Sequence, residues 1–176
     1  KIEEVLLQEK PDYVMVYGDT NSTLAGALAA SKLLIPVIHI EAGLRSYNKN
    51  MPEEQNRVLT DHISSLLICP TQTAVENLKK EGITENVYLT GDVMCDSVVY
   101  YSNLAEKRIN LSNIELIPIY EKKEISEWYL TTIHRQENTM DDKNLTNILE
   151  VFEKLDRMVI FPVHPRIKKM VDKLNE

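Results

Sequence analysis

Short apolar runs alternate with longer segments of helical period along the chain. The runs are rich in Val and Ile and predict strands at residues 13–17, 37–40, 66–69, 87–89, 129–133 and 159–163. The segments between them predict helices at residues 21–33, 53–65, 73–81, 93–107, 142–155 and 167–174. This alternation is typical of an α/β protein with a parallel sheet.

The rhythm is interrupted once, and the interruption suggests two domains. Residues 110–127 are polar, contain Pro118 and show no clear period, so we interpret them as a connection between halves. We place the domain boundary slightly earlier, between residues 92 and 93, where a predicted strand passes into a long helix. The predicted domains are residues 1–92 and 93–176. Because the chain opens without Met and both ends have a helical pattern, we expect a fragment of a longer protein.

Composition limits the possible partners. With 176 residues, 43% of them hydrophobic, the chain can bury a real core. A net charge of −7 and a pI near 5.2 argue against nucleic-acid and membrane-surface binding, which use basic patches. No apolar stretch approaches the about 18 residues that predict a spanning helix. The two cysteines have no metal-ligand spacing, so we expect reduced thiols in a cytoplasmic protein.

Polar side chains cluster where the predicted strands end. In open parallel sheets, ligands bind beyond the carboxyl ends of the strands. The residues at these positions are Asp19, Thr20, Asn21, Ser22, Glu41, Arg45, Ser46, Thr71, Thr73, Asp92, His134, Arg135, Glu137, His164 and Arg166. So many functional side chains at one rim favour a ligand site.

The first half offers two carboxylates at this rim. Asp19 follows a Gly and precedes hydroxyl residues, so a helix cap formed by Asp19 or Thr20 and a catalytic role for Asp19 are equally open. Glu41 comes directly after a buried strand, with Arg45 close behind as a cation at the rim, and is placed for proton transfer. His39 lies within the apolar run and is more typical of a hydrogen-bonded core histidine.

A third carboxylate is paired with a cation on one helix. Glu53 and Arg57 are four residues apart and share a helix face. The alternative is a surface ion pair, which contributes less than about 1 kcal/mol. Beside Asp19 and Glu41, however, the pair would supply a carboxylate whose proton affinity its neighbours adjust.

The second half offers phosphate-binding candidates. His134 and Arg135 follow a predicted strand, and such donors suit a pyrophosphate; an exposed polar loop is the alternative. His164 and Arg166 repeat the pattern one strand later. A Gly-rich dinucleotide fingerprint, a Walker-type loop, a nucleophile elbow and a metal-ligand cluster are all missing from the sequence.

Five motifs together resemble one enzyme family. They are Gly18-Asp19-Thr20, His39-Ile40-Glu41-Ala42-Gly43-Leu44-Arg45, Pro52-Glu53-Glu54-Gln55-Asn56-Arg57, Thr90-Gly91-Asp92 and His134-Arg135-Gln136-Glu137-Asn138. Their order and spacing resemble the non-hydrolysing bacterial and archaeal UDP-N-acetylglucosamine 2-epimerases, over essentially the whole chain.

The resemblance implies a fold, a reaction and a set of roles. The fold is two Rossmann-like parallel-sheet domains in the GT-B-like arrangement of glycosyltransferases, both incomplete here. The reaction interconverts UDP-GlcNAc and UDP-ManNAc through 2-acetamidoglucal, for cell-surface polysaccharides, in a cytoplasmic homodimer without redox cofactor or metal. By resemblance, the acid/base candidates are Asp19, Glu41 and Glu53. Arg57 positions or tunes them, and His134 helps to hold or protonate the phosphate. The resemblance also implies nucleotide contacts for Arg135, Glu137 and His164.

Departures from the family leave alternatives open. Members are about twice as long, and this chain lacks their N-terminal Gly-Thr-Arg-Pro-Glu loop and the later segment that grips the ribose. We therefore expect the fragment alone to be inactive. The alternatives are a hydrolysing 2-epimerase, a diacetamido-uronate nucleotide epimerase, and a truncated nucleotide-binding module.

Overall fold

The computed structural model describes residues 1–109, 127–133, 138, 142–163, 165 and 167–168. Two compact units are formed, Lys1–Arg108 and Ile109–Glu176. The boundary between the two units lies 16 residues after the predicted domain boundary between residues 92 and 93. The predicted boundary concerns the domains of the longer enzymes and stays a prediction. Within the described residues, no helix has the length and apolar character needed to cross a membrane.

The first unit is a four-stranded parallel sheet with helices between its strands. The strand order is β1-β2-β3-β4, and every neighbouring pair is parallel. The predicted alternation is thus confirmed in this unit. In chain order the elements are α1 Ile2–Glu9, β1 Val14–Tyr17, α2 Asn21–Lys32, β2 Val37–Ile40, α3 Pro52–Ile63, β3 Leu66–Cys69, α4 Gln72–Lys80, β4 Val87–Leu89 and α5 Val93–Arg108.

The helix starts in this unit follow from local chemistry. Thr20 caps α2 by accepting a hydrogen bond from the Thr23 N–H at 3.3 Å. Thr71 caps α4 in the same way, accepting from the Ala74 N–H at 3.2 Å. At the start of α3, Pro52 occupies the first turn, where its missing N–H costs nothing. β1, β3 and β4 pass into helices within a few residues, whereas residues 41–51 separate β2 from α3. The short connections bring helix N-termini to the carboxyl edge of the sheet.

Two apolar clusters form the core of the first unit. Leu6, Val16, Ala27, Ala30 and Val37 make up one cluster, between α1, α2 and the sheet. Ala42, Leu67, Cys69, Ala74 and Leu78 make up the other, between α4 and the sheet. Small residues on α2 allow it to lie close to the sheet and to α3.

The second unit contains a smaller parallel sheet. The strands β5 (Trp128–Leu130) and β6 (Met158–Ile160) pair in parallel, with α6 (Asp142–Lys154) between them in the chain. The side chains of Ile133, Leu145, Leu149 and Ile167 form its buried cluster. Both strands begin one residue earlier and end three residues earlier than predicted. The helix predicted at residues 167–174 lies almost entirely outside the described residues.

Candidate functional site

A cavity of about 350 Å³ opens beyond the carboxyl ends of β1 to β4. Its walls come from the turns after these strands and from the first turns of α5, all within the first unit. The cavity thus lies at the edge of the sheet where the sequence predicts a ligand site. Residues that line the cavity include Gly18, Glu41, Pro70, Gly91, Asp92 and Asp96.

Gly18 makes the tight turn that ends β1. Its φ of +65° lies in the region that only glycine adopts freely, and its N–H donates to the Ile40 carbonyl oxygen at 3.0 Å. A Cβ at this position would lie 3.4 Å from a carboxylate oxygen of Glu41. The turn thus ties the end of β1 to the end of β2 and leaves space for the Glu41 carboxylate. Because Thr20 forms the helix cap, Asp19 is not needed for that purpose.

Glu41 presents a perturbed carboxylate to the cavity. Its φ of +71° is unusual for a residue with a side chain, and such strain concentrates at functional sites. The N–H groups of Glu41 and Ala42 both donate to the Ile68 carbonyl oxygen, at 3.1 and 3.0 Å, which fixes this conformation. Partial burial raises the pKa of Glu41, and the negative charges of Asp19 and Asp92 raise it further. A carboxyl group with a raised pKa is suited to proton transfer.

Asp19 and Arg57 form an ion pair beside this carboxylate. One Arg57 Nη donates to an Asp19 carboxylate oxygen, and the Arg57 side chain is only 12% exposed. The Asn56 amide donates to the Asp19 carbonyl oxygen and to Asn21 Oδ1, both at 2.9 Å. Asp19 is therefore held from two directions, and the Arg57 cation opposes the rise in the Glu41 pKa.

The structure separates the two adjacent acids at the start of α3. Glu53 is exposed, and no hydrogen bond or ion pair of its side chain is found within the described residues. Glu54, which the sequence did not single out, is 4% exposed and accepts hydrogen bonds from the Ser46 N–H at 2.9 Å and the Tyr47 N–H at 2.8 Å. The Glu54 carboxylate also lies beside Arg57, with 3.5 Å between Arg57 Nη1 and Glu54 Oε2. Glu54, rather than Glu53, is the acid that this structure places against Arg57.

Burial resolves two further expectations, for His39 and for Arg45. His39 is fully buried with both ring nitrogens hydrogen bonded, which confirms the core interpretation. Arg45 was expected at the ligand rim, and this was wrong, because its side chain is 1% exposed and paired with Asp61 and Glu81. The physical reason is that the buried Asp61 carboxylate requires a cation beside it.

Four of the predicted site residues lie outside the described residues. They are His134, Arg135, Glu137 and His164. Their assignment to the nucleotide remains a prediction. Within the part of the chain that the structure describes, no group of His, Cys, Asp and Glu side chains is arranged to hold a metal ion.

The sequence of this chain matches a known protein family. The sequence model of the family described as UDP-N-acetylglucosamine 2-epimerase matches residues 1–176. A UDP-N-acetylglucosamine 2-epimerase homolog of Methanococcus maripaludis is 54% identical over 173 residues, which cover 98% of this chain and 47% of that protein. The UDP-2,3-diacetamido-2,3-dideoxy-D-glucuronate 2-epimerase of Pseudomonas aeruginosa is 46% identical over 180 residues, covering 99% and 48%. The chain thus spans about half the length of these relatives.

A solved structure shows the same fold. The structure of the Methanocaldococcus jannaschii UDP-GlcNAc 2-epimerase in complex with UDP-GlcNAc and UDP superimposes with a TM-score of 0.79 at 46% identity. The match covers 99% of this chain and 48% of that one. The predicted fold class, α/β with Rossmann-like parallel sheets of the GT-B type, is confirmed.

Proposed function

Because the chain belongs to the UDP-N-acetylglucosamine 2-epimerase family, we propose that it supplies the sugar-side acid/base groups of an enzyme that interconverts UDP-GlcNAc and UDP-ManNAc. The observation that carries this proposal is the Glu41 carboxylate, which lines the cavity, has a raised pKa and is subject to the charges of Asp19 and Arg57. Inverting C2 requires removal of a weakly acidic proton, and such a site favours proton transfer over simple binding.

The reaction proceeds in two balanced steps. In the first, a carboxylate takes the C2 proton, the C–H electron pair forms a C1=C2 double bond, and the C1–O bond breaks with release of UDP. The sugar is then 2-acetamidoglucal. In the second step UDP adds back at C1 while C2 receives a proton on the opposite face. The similar Methanocaldococcus jannaschii epimerase is in complex with UDP-GlcNAc and UDP, the substrate and the leaving group of this scheme.

The described residues suggest a division of labour. Glu41 lines the cavity and has the perturbed pKa, so we assign it one of the two proton transfers. Asp19 is the second acid/base group, and its pairing with Arg57 keeps it oriented. Glu53 is exposed at the start of α3 and remains a third candidate. His134, with Arg135, Glu137 and His164, is proposed to hold the UDP leaving group.

Product analysis tests this proposal. The protein, expressed from its complete reading frame, is incubated with UDP-GlcNAc and followed by ¹H NMR. We expect UDP-ManNAc to accumulate to an equilibrium mixture that is reached from either sugar. Irreversible formation of free ManNAc and UDP would establish the hydrolysing alternative. UDP binding without any turnover by the folded protein would establish the nucleotide-binding module.

A second candidate differs only in the sugar. The Pseudomonas aeruginosa relative named for UDP-2,3-diacetamido-2,3-dideoxy-D-glucuronate is 46% identical, the same identity as the solved epimerase structure. Both substrates need the same C2 chemistry, so the described carboxylates suit either. Comparing kcat/KM for the two UDP-sugars under the same conditions decides between them. We further propose a cytoplasmic homodimer that serves cell-surface polysaccharide synthesis, in keeping with the family resemblance.

A further inference from the structure

A chain of buried charged groups lies directly behind the two site carboxylates. The His39 ring is 0% exposed in the middle of the sheet. Its Nδ1 is 2.7 Å from Asp61 Oδ1, and its Nε2 is 2.8 Å from the Gly18 carbonyl oxygen. His39 therefore connects α3 to the turn that carries Asp19.

Asp61 is held on its other side by two donors. Its Oδ2 accepts from the Gly43 N–H at 3.1 Å and from Arg45 Nη1 at 2.7 Å. Arg45 in turn donates to both carboxylate oxygens of Glu81, at 2.7 and 2.8 Å. The network runs from Glu81 through Arg45 and Asp61 to His39, and Asp61 itself is 1% exposed.

These contacts define which groups around His39 donate hydrogen bonds and which accept them. A backbone N–H and a guanidinium can only donate, so Asp61 Oδ2 is the acceptor for both Gly43 and Arg45. A carbonyl oxygen can only accept, so Nε2 must donate to Gly18. An oxygen atom therefore faces each ring nitrogen, and both nitrogens are placed to donate a hydrogen bond.

We propose that His39, held as an imidazolium ion by Asp61, is a positioning residue that fixes the Gly18–Asp19 turn relative to Glu41. Glu41 lies between His39 and Gly43 in the chain, and both of these residues are bonded to Asp61. The same carboxylate therefore anchors the backbone on both sides of Glu41, while His39 reaches across to β1. This inference deepens the proposed function and rests on it, because it assigns the network to the proton-transfer groups.

A charged histidine also acts on Glu41 through space. The charged and titratable groups that face Glu41 are Asp19 and Asp92, which raise its pKa, and Arg57 and His39, which lower it. Removing the His39 charge therefore moves the titration of Glu41 to higher pH. A histidine that only fills space in the core would leave that titration unchanged.

The first experiment is ¹⁵N NMR of the histidine rings in the unmodified protein. We expect protons on both His39 nitrogens at neutral pH. An Nδ1 without a proton would overturn the proposal. This measurement needs no substitution, so it stands even if variants at the buried position do not fold.

The second experiment follows the Glu41 carboxyl by ¹³C NMR as a function of pH in two variants. His39→Gln keeps an amide donor for Gly18 but removes the charge. The matched control is His62→Gln, which removes a histidine 45% exposed at the Glu81 end of the network. We expect an upward shift of the Glu41 titration in His39→Gln that is absent in the control. Equal titrations in both variants would overturn the proposal. Neither experiment needs turnover, so loss of turnover with these results intact would refute only the proposed function.

Discussion

Glu54 is a buried carboxylate beside Arg57 whose removal should destabilise the fold. Glu54→Ala deletes an acceptor for the Ser46 N–H, the Ser46 hydroxyl and the Tyr47 N–H, at 2.9, 3.0 and 2.8 Å. Hydrogen bonds to a charged group are each worth about 1.5–3 kcal/mol. Ser46 and Tyr47 are exposed, so water replaces part of this loss. We therefore expect the free energy of unfolding to fall by about 3 kcal/mol.

Urea unfolding followed by circular dichroism measures this loss. With a slope of about 2 kcal/mol per molar urea, the midpoint should fall by about 1.5 M. The matched control is Glu53→Ala, one residue earlier on α3 and exposed, which should change stability by less than about 0.5 kcal/mol. Equal midpoints for the two variants would refute the assignment of Glu54 as the buried anchor.

The same residue predicts a pH dependence. Burial alone would raise the pKa of Glu54, but hydrogen bonds from Ser46 and Tyr47 outweigh burial and lower it below its ordinary value of 4.5. A carboxyl whose folded pKa is lowered stabilises the protein above its unfolded pKa, and this contribution is lost as pH falls through the folded pKa. Glu54→Gln should therefore show a weaker loss of stability below about pH 4.5 than the unmodified protein; an unchanged acid profile would contradict this.

Three other perturbations follow from single positions. Gly43→Ala would place a Cβ 2.4 Å from the Ala74 carbonyl oxygen and should lower the free energy of unfolding in urea by about 3 kcal/mol. Gly82 has a similar φ but open space around it, so Gly82→Ala should lower that free energy by about 1 kcal/mol. Equal losses in the two variants would refute the clash at Gly43. Iodoacetamide should label the exposed Cys95 and spare Cys69, whose pKa burial raises to about 11; labelling of Cys69 in the folded protein would contradict this. Glu41→Gly should stabilise the fold by about 1 kcal/mol by relieving its positive φ, and destabilisation would argue against strain.

The strands of the first unit were predictable because their apolar runs are short and sharply bounded. β2, β3 and β4 begin and end at the predicted residues. The edge of the sheet that carries the cavity was also predictable, since the carboxyl ends of parallel strands share one edge. Asp19 and Glu41 were predicted as site residues in this way, and Glu41 lines the cavity.

Two features of the site could not be predicted from the sequence, namely the burial of Glu54 and the contact between His39 and Asp61. The first depends on how α3 is rotated, and the second joins residues far apart in the sequence. Glu53 and Glu54 both lie within one helical turn of Arg57, and only the actual rotation of α3, about 100° per residue, decides which acid is buried. The contact between His39 and Asp61 joins residues 22 positions apart on different elements. Local spacing gives no information about such a pair, so the network behind the site required the structure.

We expect the Glu41 carboxylate to take part in transfer of the C2 proton of a UDP-sugar. Incubation of the complete protein with UDP-GlcNAc in D₂O, followed by ¹H NMR, measures this transfer directly. We expect deuterium to replace the C2 proton, and Glu41→Gln, if folded, to slow this exchange by about 10²- to 10⁴-fold. Retention of the C2 proton during turnover, or exchange in Glu41→Gln at the unmodified rate, would contradict the account.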